Sequence, residues 1–237
     1  MFIDGWIVSG SIFFGLLFLE LLFSGIFFDG DADRSYFVDE KGEIVFADII
    51  LAILAKHELK QNPGQIIYYD LRFSKAVKES IKKNSGIPVM MRVGNPFYKE
   101  KLVNEGGILA GEFSGHIMFK SNYCLDDGLF AAVKLMSIIS STGKTLSELA
   151  EPLKEGYYVS EEINMKVKNT DETMKKIKEA FSDGESIELD GIYIQYPEWW
   201  FNLRKSNTEP VVRLRIEANS KELLEEKKKK LIEICKE

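Results

Sequence analysis

Three aspartates stand at alternate positions in Asp29-Gly30-Asp31-Ala32-Asp33-Arg34. Carboxylates so spaced converge on one cation if the chain turns tightly, and Gly30 is expected to permit the turn while Ala32 keeps it narrow. Oxygen-only ligands select a hard cation over softer metals. The stretch lacks the further ligands and terminal Glu of an EF-hand calcium loop. Three carboxylates leave positions open for phosphate and water, the usual way of holding Mg2+. The competing reading is an Asx-rich turn, because Asp and Gly are turn formers. Arg34 closes the stretch. It either balances the acids or holds a phosphate oxygen with its planar fork.

A second polar stretch, Gly111-Glu112-Phe113-Ser114-Gly115-His116, lies between two apolar runs. Glu112 and Ser114 face the same way from an extended chain and can accept from and donate to adjacent sugar hydroxyls. His116 is one of two histidines. Its unperturbed pKa of about 6.5 suits a proton carrier, and the alternative is a structural hydrogen bond. His57, between Lys56 and Glu58, reads as a surface residue. The third stretch, Arg204-Lys205-Ser206-Asn207-Thr208-Glu209-Pro210, supplies guanidinium, ammonium, hydroxyl and amide donors, with Arg213 and Arg215 following. A guanidinium binds phosphate bidentately. Ser, Asn and Thr in a turn free backbone N–H groups for an anion. A plain polar turn would not need so many donors.

These stretches need elements to hold them. Residues 35–39 and 44–46 read as strand, turn and short strand around Lys41-Gly42. Asp48 is placed to cap a helix in which Ile49, Ile50, Ile53 and Leu54 recur at helical spacing. Asn62-Pro63-Gly64 ends it. The chain then alternates: strand 65–71, helix 74–83, strand 89–93, helix 97–105, strand 107–112 and helix 129–140, extended over 146–149. Such alternation implies a doubly wound α/β sheet over residues 38–152. After Pro152 come strand 161–167, helix 170–181 and a hairpin of 186–189 with 192–196 about Asp190-Gly191. Strands 199–204 and 211–218 flank the third stretch, and Ser220 caps a closing helix over 220–235. This part reads as a small α+β domain.

Composition narrows the function. With 237 residues, 45% hydrophobic and 29% charged, the chain can bury a core. A net charge of -6 argues against nucleic acid as a partner. Cys124 and Cys235 share no metal or redox spacing and read as free thiols of a reducing compartment, hence a cytoplasmic protein. Residues 7–28 are rich in Phe and Leu and long enough to cross a bilayer. Glu20 and the lack of any preceding Lys or Arg argue against a membrane segment. A membrane-attached form anchored through 7–28 is the alternative. The favoured reading is a remnant of a preceding domain, whose last strand, 25–28, feeds the acidic stretch.

In order and separation the three stretches resemble the metal-binding, sugar-binding and phosphate-binding loops of the α-D-phosphohexomutases, the phosphoglucomutase/phosphomannomutase family, from about residue 25 to the end. The resemblance implies four domains around a deep cleft, of which this chain would keep the third and fourth. The division is then 1–37, a remnant with the metal loop; 38–152, the α/β sugar-binding domain; and 153–237, the α+β phosphate-binding domain. The resemblance puts Mg2+ on Asp29, Asp31 and Asp33, a phosphoserine against Arg34, sugar hydroxyls on Glu112 and Ser114, and the substrate phosphate on Arg204, Ser206, Asn207, Thr208 and Arg213. With His116 as proton carrier, the implied activity is Mg2+-dependent intramolecular phosphoryl transfer on a hexose phosphate.

Two departures qualify it. The family's phosphoserine loop, of Thr-Ala-Ser-His-Asn-Pro type, does not occur in the sequence, so the chain by itself is expected to be incomplete. Gly94-Asn95 stands where many members carry Gly-His, and Asn cannot titrate. Arg72 and Arg92 are left to supply positive charge nearby. The alternative reading is a non-catalytic phosphosugar-binding module, or half of a split enzyme completed by a separate chain bearing the phosphoserine domain.

Overall fold

The apolar run ahead of the acidic stretch becomes a meander. In the computed structural model, which describes residues 17–19, 23–206 and 211–236, four strands pair antiparallel in chain order: β1 (Leu17–Leu19), β2 (Phe23–Phe28), β3 (Ser35–Val38) and β4 (Ile44–Val45). The acidic stretch is the β2–β3 connection. The described parts of 7–28 are therefore strand, and the rest of that stretch lies outside the described residues. Among the described residues no helix is long and apolar enough to cross a membrane.

Helix α1 (Ala47–Gln61) is buried along Asp48 to Ala55. A helix apolar on every side belongs inside a core, and α1 packs against the sheet and neighbouring helices of the domain. Asp48 does not cap it. The N-cap is Phe46. Asp48 sits in the first turn, where its carboxylate accepts from Ile49 N at 2.8 Å and Ser74 N at 3.4 Å and lies 3.9 Å from Arg215 Nη2. These partners hold the side chain at the seam with the second domain.

The chain then alternates as β5 (Ile66–Asp70), α2 (Lys75–Lys83), β6 (Ile87–Met91), α3 (Asn95–Asn104), β7 (Leu109–Gly111), β8 (Ile117–Phe119), α4 (Gly128–Thr142) and α5 (Leu146–Lys154). The sheet order is β6-β5-β7-β8, with β5 parallel to β6 and β7, and β8 antiparallel to β7. This is a doubly wound α/β domain. Helices α4 and α5 are separate because Gly143, at φ +65°, stops the first and Thr145 opens the second with a capping box.

The second domain comprises β9 (Tyr158–Val159), β10 (Ile163–Lys166), α6 (Thr170–Ala180), β11 (Glu185–Ile187), β12 (Ile192–Gln195), β13 (Trp199–Lys205), β14 (Val211–Ala218) and α7 (Lys221–Lys236). Its antiparallel sheet runs β10-β14-β13-β12-β11, with β9 also on β14. Ile177, Phe181, Leu224 and Leu231 from α6, α7 and the loop after α6 cover one face. The other face carries Tyr193 stacked on Trp200 at 5.1 Å, and both pack with Leu71 of the α/β domain. The hairpin about Asp190-Gly191 is wider than a two-residue turn, because pairing ends at Ile187↔Tyr193. Asp190 is drawn out to accept from Val93 N at 3.1 Å. Ser220 does cap α7, its Oγ accepting from Leu223 N at 3.2 Å.

Candidate functional site

The register of the parallel strands sets the site. Tyr69 pairs with Gly111 and Asp70 with Met91, so β5, β6 and β7 end together. Ligands of open α/β sheets bind outside these carboxyl ends, where the winding changes direction. Here the chain steps from β5 to β6 on one side and then to β7 on the other. From these ends project Asp70-Leu71-Arg72, Asn95 and Glu112.

Asp70 is fully buried and bidentate with Arg72: Arg72 Nε donates to Oδ1 at 2.9 Å and Nη2 to Oδ2 at 2.6 Å. Burial alone would raise the Asp70 pKa, but Arg72 holds the carboxyl below its ordinary value. Burial opposes the Arg72 charge too, and Asp70, Glu162 and Glu112 overcome it, so the guanidinium stays firmly protonated. Arg72 Nη2 lies 3.5 Å from Glu112 Oε1. Glu112 is buried, and burial with the Asp70 charge raises its pKa against the opposing pull of Arg72 and His116. Ser114 Oγ is buried beside the Glu112 carboxylate, whose pKa it helps to hold down.

The acidic stretch folds onto this loop. Ser35 N donates to Gly115 O at 3.3 Å, and Arg34 and His116 form an antiparallel bridge. Gly115, at φ +99°, leaves room for Ser35 O, which a β-carbon would approach to 3.2 Å. Gly128 matters more: a β-carbon there would lie 2.7 Å from the Arg34 carbonyl. Its absence lets the start of α4 abut the stretch, with Gly128 N donating to Ala32 O at 3.1 Å. The tight position is not Gly30, which is exposed and has no φ in the glycine region. The left-handed residue is Ala32, at φ +60°, a conformation disfavoured by roughly 1–2 kcal/mol when a β-carbon is present.

One carboxylate oxygen from each of Asp29, Asp31 and Asp33 lies within 4.8 Å of the others. The set is all oxygen, and Asp33 Oδ1 is buried without a hydrogen-bond partner. Burial raises the Asp33 pKa, and Asp126, Asp29 and Asp31 add to the rise while His116 opposes it. Crowded carboxylates with an unspent oxygen fit a divalent cation. Asp29 is also engaged by Arg34, through N to Oδ1 and Nε to Oδ2, both at 3.2 Å.

Arg34 Nε also donates to His116 Nε2 at 3.0 Å, while His116 Nδ1 lies 2.5 Å from Asp126 Oδ2. This arrangement places the imidazole proton on Nδ1. Burial lowers the His116 pKa, but Asp126, Glu112 and Asp33 outweigh it and the net shift is upward. Asn95 Nδ2 donates to the same Asp126 oxygen at 3.0 Å. The residue that cannot titrate thus steadies the carboxylate that orients one that can.

Glu162 joins the third stretch to the others. Its carboxylate lies 3.2 Å from Arg204 Nη2, 3.6 Å from Arg213 Nη1 and 3.6 Å from Arg72 Nη1. Arg213 Nη2 donates to Ser206 Oγ at 3.3 Å. Arg215 is spent on structure, donating to Arg72 O at 2.8 Å and Ser160 O at 2.9 Å and lying over the Phe113 ring at 4.2 Å. Asn207 and Thr208 lie outside the described residues. A continuous set of contacts therefore runs from Asp29 through Arg34, His116, Glu112, Arg72 and Glu162 to Arg204 and Arg213. Two hollows of about 400 and 510 Å³ lie elsewhere, beside Asp190 and Lys205, and at the seam by Asp48, Ser160 and Arg215.

Sequence reasoning passed over Asp70, Asp126 and Glu162, and gave Arg72 only a general positive charge. The Asp70-Leu71-Arg72 signal was available, since polar residues at the carboxyl end of a buried strand face the ligand side. Glu162 carries no local signal.

The fold has been seen before. A phosphoglucomutase/phosphomannomutase family protein from Burkholderia thailandensis superposes with a TM-score of 0.76 at 32% identity, over 88% of this chain and 45% of that one. The N-acetylphosphoglucosamine mutase of Aspergillus fumigatus, solved with GlcNAc-6P and magnesium, shares the fold at a TM-score of 0.64 and 16% identity, over 88% of this chain and 51% of that one. The family model for phosphoglucomutase/phosphomannomutase alpha/beta/alpha domain III matches residues 46–157, and that for the C-terminal domain matches 162–234. The chain belongs to the phosphoglucomutase/phosphomannomutase family. Among curated relatives, the phosphomannomutase of Methanocaldococcus jannaschii is 42% identical over 200 residues, 84% of this chain and 44% of that protein. The phosphomannomutase of Escherichia coli K12 is 35% identical over 194 residues, 81% and 42% respectively. The chain spans less than half the length of these relatives.

Proposed function

We propose that this chain carries the metal-, sugar- and phosphate-binding portion of a Mg2+-dependent phosphohexomutase, divided at about residues 37 and 152 into the metal loop, the sugar-binding domain and the phosphate-binding domain. In this reading Asp29, Asp31 and Asp33 would hold Mg2+, which would supply positive charge to offset that on a transferring phosphoryl group. Glu112 and Ser114 orient a hexose ring through its hydroxyls. Arg204, Ser206, Asn207, Thr208 and Arg213 anchor the phosphate that does not react. Arg34 turns from His116 to an oxygen of the reacting phosphate, which frees Nε2 to exchange a proton with a sugar hydroxyl while Asp126 holds Nδ1. The phosphoryl donor is a phosphoserine outside these 237 residues, since no loop of that type occurs among them. In the ping-pong cycle it gives its phosphate to the substrate and takes back the other phosphate of the bisphosphate so formed.

The observation that carries this reading is the link from the acidic turn to the guanidinium cluster through Arg34–His116, the backbone bond from Glu112 N to His116 O, and Glu112–Arg72–Glu162. Calorimetry with mannose and glucose 6-phosphates in Mg2+ tests it. Wild type should bind, and Arg204→Ala should bind at least about tenfold more weakly, given roughly 1.5–3 kcal/mol for a hydrogen bond to a charged group. Equal binding by the two proteins refutes the assignment.

A further inference from the structure

Glu162 precedes β10 by one residue, in the connection between the two domains. Three arginines meet its carboxylate. They are not equivalent. Arg72 already has Asp70. Arg204 and Arg213 have no other carboxylate among the described residues. Moreover, Arg204 Nε and Arg213 Nε are both buried without a hydrogen-bond partner. Two guanidiniums thus share one monoanion and keep donors unspent. A carboxylate has two oxygens and one charge. A terminal phosphate has three oxygens and a charge near -2 above a second pKa of about 6. The cluster is under-neutralised by the group it holds and matched by a larger anion.

We propose that Glu162 is a displaceable counter-ion. It occupies the guanidinium cluster when no ligand is present and is pushed aside when a phosphate monoester dianion enters. This rests on reading Arg204 and Arg213 as phosphate ligands, and it adds a selection rule to that reading. The Glu162 side chain is 18% exposed, between Arg204 at 10% and Arg213 at 29%, so the cluster opens to water on the Arg213 side and the carboxylate has a way out along it. A monoanion that displaced it would exchange one charge for another and gain nothing. A dianion gains a charge and an oxygen. The internal competitor lowers affinity for every anion by about the same factor, which leaves a tightly held dianion bound and pushes the weaker monoanion below detection, a specificity by exclusion.

The test is calorimetry at pH 8 with inorganic phosphate and with dimethyl phosphate, a monoanion, on the full chain and on Glu162→Gln. The amide keeps the shape and removes the charge. We expect Glu162→Gln to bind phosphate at least about fivefold more tightly, the effect in water of removing one charge some 4 Å away. Dimethyl phosphate should show no binding to wild type and gain detectable binding in the variant. Should Glu162→Gln fail to fold, Glu162→Ser must show the same direction. Binding by the variant where wild type is silent also supports the proposal. Equal or weaker phosphate binding by the variant makes Glu162 a strut and overturns the counter-ion role while leaving the phosphate site standing. No binding by either protein overturns both, and wild type binding dimethyl phosphate as tightly as phosphate overturns the selection rule.

Discussion

The acidic turn and the guanidinium cluster are opposite in charge and alike in being unsatisfied. At one end Asp29, Asp33 and Asp126 pair with Arg34 and His116, with Asp31 exposed beside them, and Asp33 Oδ1 is buried with no hydrogen bond, its cation Arg34 Nε 3.7 Å away. At the other, Arg204 and Arg213 share Glu162 and leave two buried Nε donors unspent. A fold selected only for stability would bring these ends together as ion pairs. This one keeps them apart and spaces them with His116, Glu112 and Arg72. The comparison also separates two kinds of arginine. Arg72 and Arg215 are bound to buried acids and backbone carbonyls and hold the frame. On the proposed reading Arg34, Arg204 and Arg213 would exchange His116 or Glu162 for phosphate oxygens, although Arg34 also pairs with the buried Asp29.

The sharpest way to break that distinction is Arg72→Ala. Asp70 would be left fully buried without its bidentate partner. Breaking a buried pair from one side costs roughly 3–5 kcal/mol. Urea unfolding should show a loss of that order, against a much smaller loss for Arg204→Ala, whose partner Glu162 retains Arg213 and some water. Comparable losses for the two would mean that frame and ligand arginines cannot be told apart.

Next in size is the acidic turn's response to metal. Mg2+ at a hundred times its dissociation constant should stabilise the chain by about 2.7 kcal/mol if it binds only the folded form. Asp31 is exposed, so Asp31→Asn should leave metal-free stability level or slightly higher by relieving repulsion among the acids, and should abolish the Mg2+-dependent rise in Tm. A Mg2+ shift that survives the substitution would move the metal elsewhere, with the Asp33, His116 and Asp126 cluster the next place to look.

Both outcomes bear on how much a sequence discloses. Element order was legible because the period of apolar residues changes with the element, as in the strand Ile66–Asp70 and the helix Lys75–Lys83. The convergence of Asp29, Asp31 and Asp33 was legible because the three residues are local. Its geometry was not. Ala32 rather than Gly30 takes the left-handed turn, a choice set by the contact with the start of α4. Glu162 and Asp126 were invisible because their roles depend on partners distant in the chain, such as Arg72 and His116. The same holds for Asp48, taken for a cap and found facing Arg215.

Between the charged ends lies the domain seam, which tests whether buried acids behave differently away from a ligand. Glu217 is buried there, with Oε1 accepting from Trp200 Nε1 at 2.9 Å and Lys75 N at 3.1 Å and Oε2 unpartnered. Burial raises its pKa; the nearby Ser74 hydroxyl and the bonds from Trp200 and Lys75 oppose the rise, and Asp48 adds to it. The sign follows. Between the unfolded value of about 4.3 and the raised folded one, the native state binds more protons than the unfolded state, so stability falls as pH rises through that window. Glu217→Gln keeps the Oε1 acceptor and drops the charge. It should flatten this decline and raise the urea midpoint at pH 8. A midpoint that falls would mean the ionised carboxylate is needed at the seam.

The smallest effect is the most discriminating. Tyr36 of β3 donates to Ser114 O at 2.9 Å and so ties the strand leaving the acidic turn to the loop bearing Glu112. Tyr36→Phe keeps the ring against Gly115 and deletes the neutral bond to Ser114 O, worth about 1 kcal/mol, along with the hydroxyl's contact to Arg34. If, as proposed, the Ser114 loop orients the sugar while Arg204 in the other domain holds the phosphate, affinity for hexose phosphates should fall a few-fold while affinity for inorganic phosphate stays unchanged. If both fall together, the loop and the guanidinium cluster are coupled through Arg72 and Glu162, and the two ends form one cooperative site rather than two half-sites that a ligand joins.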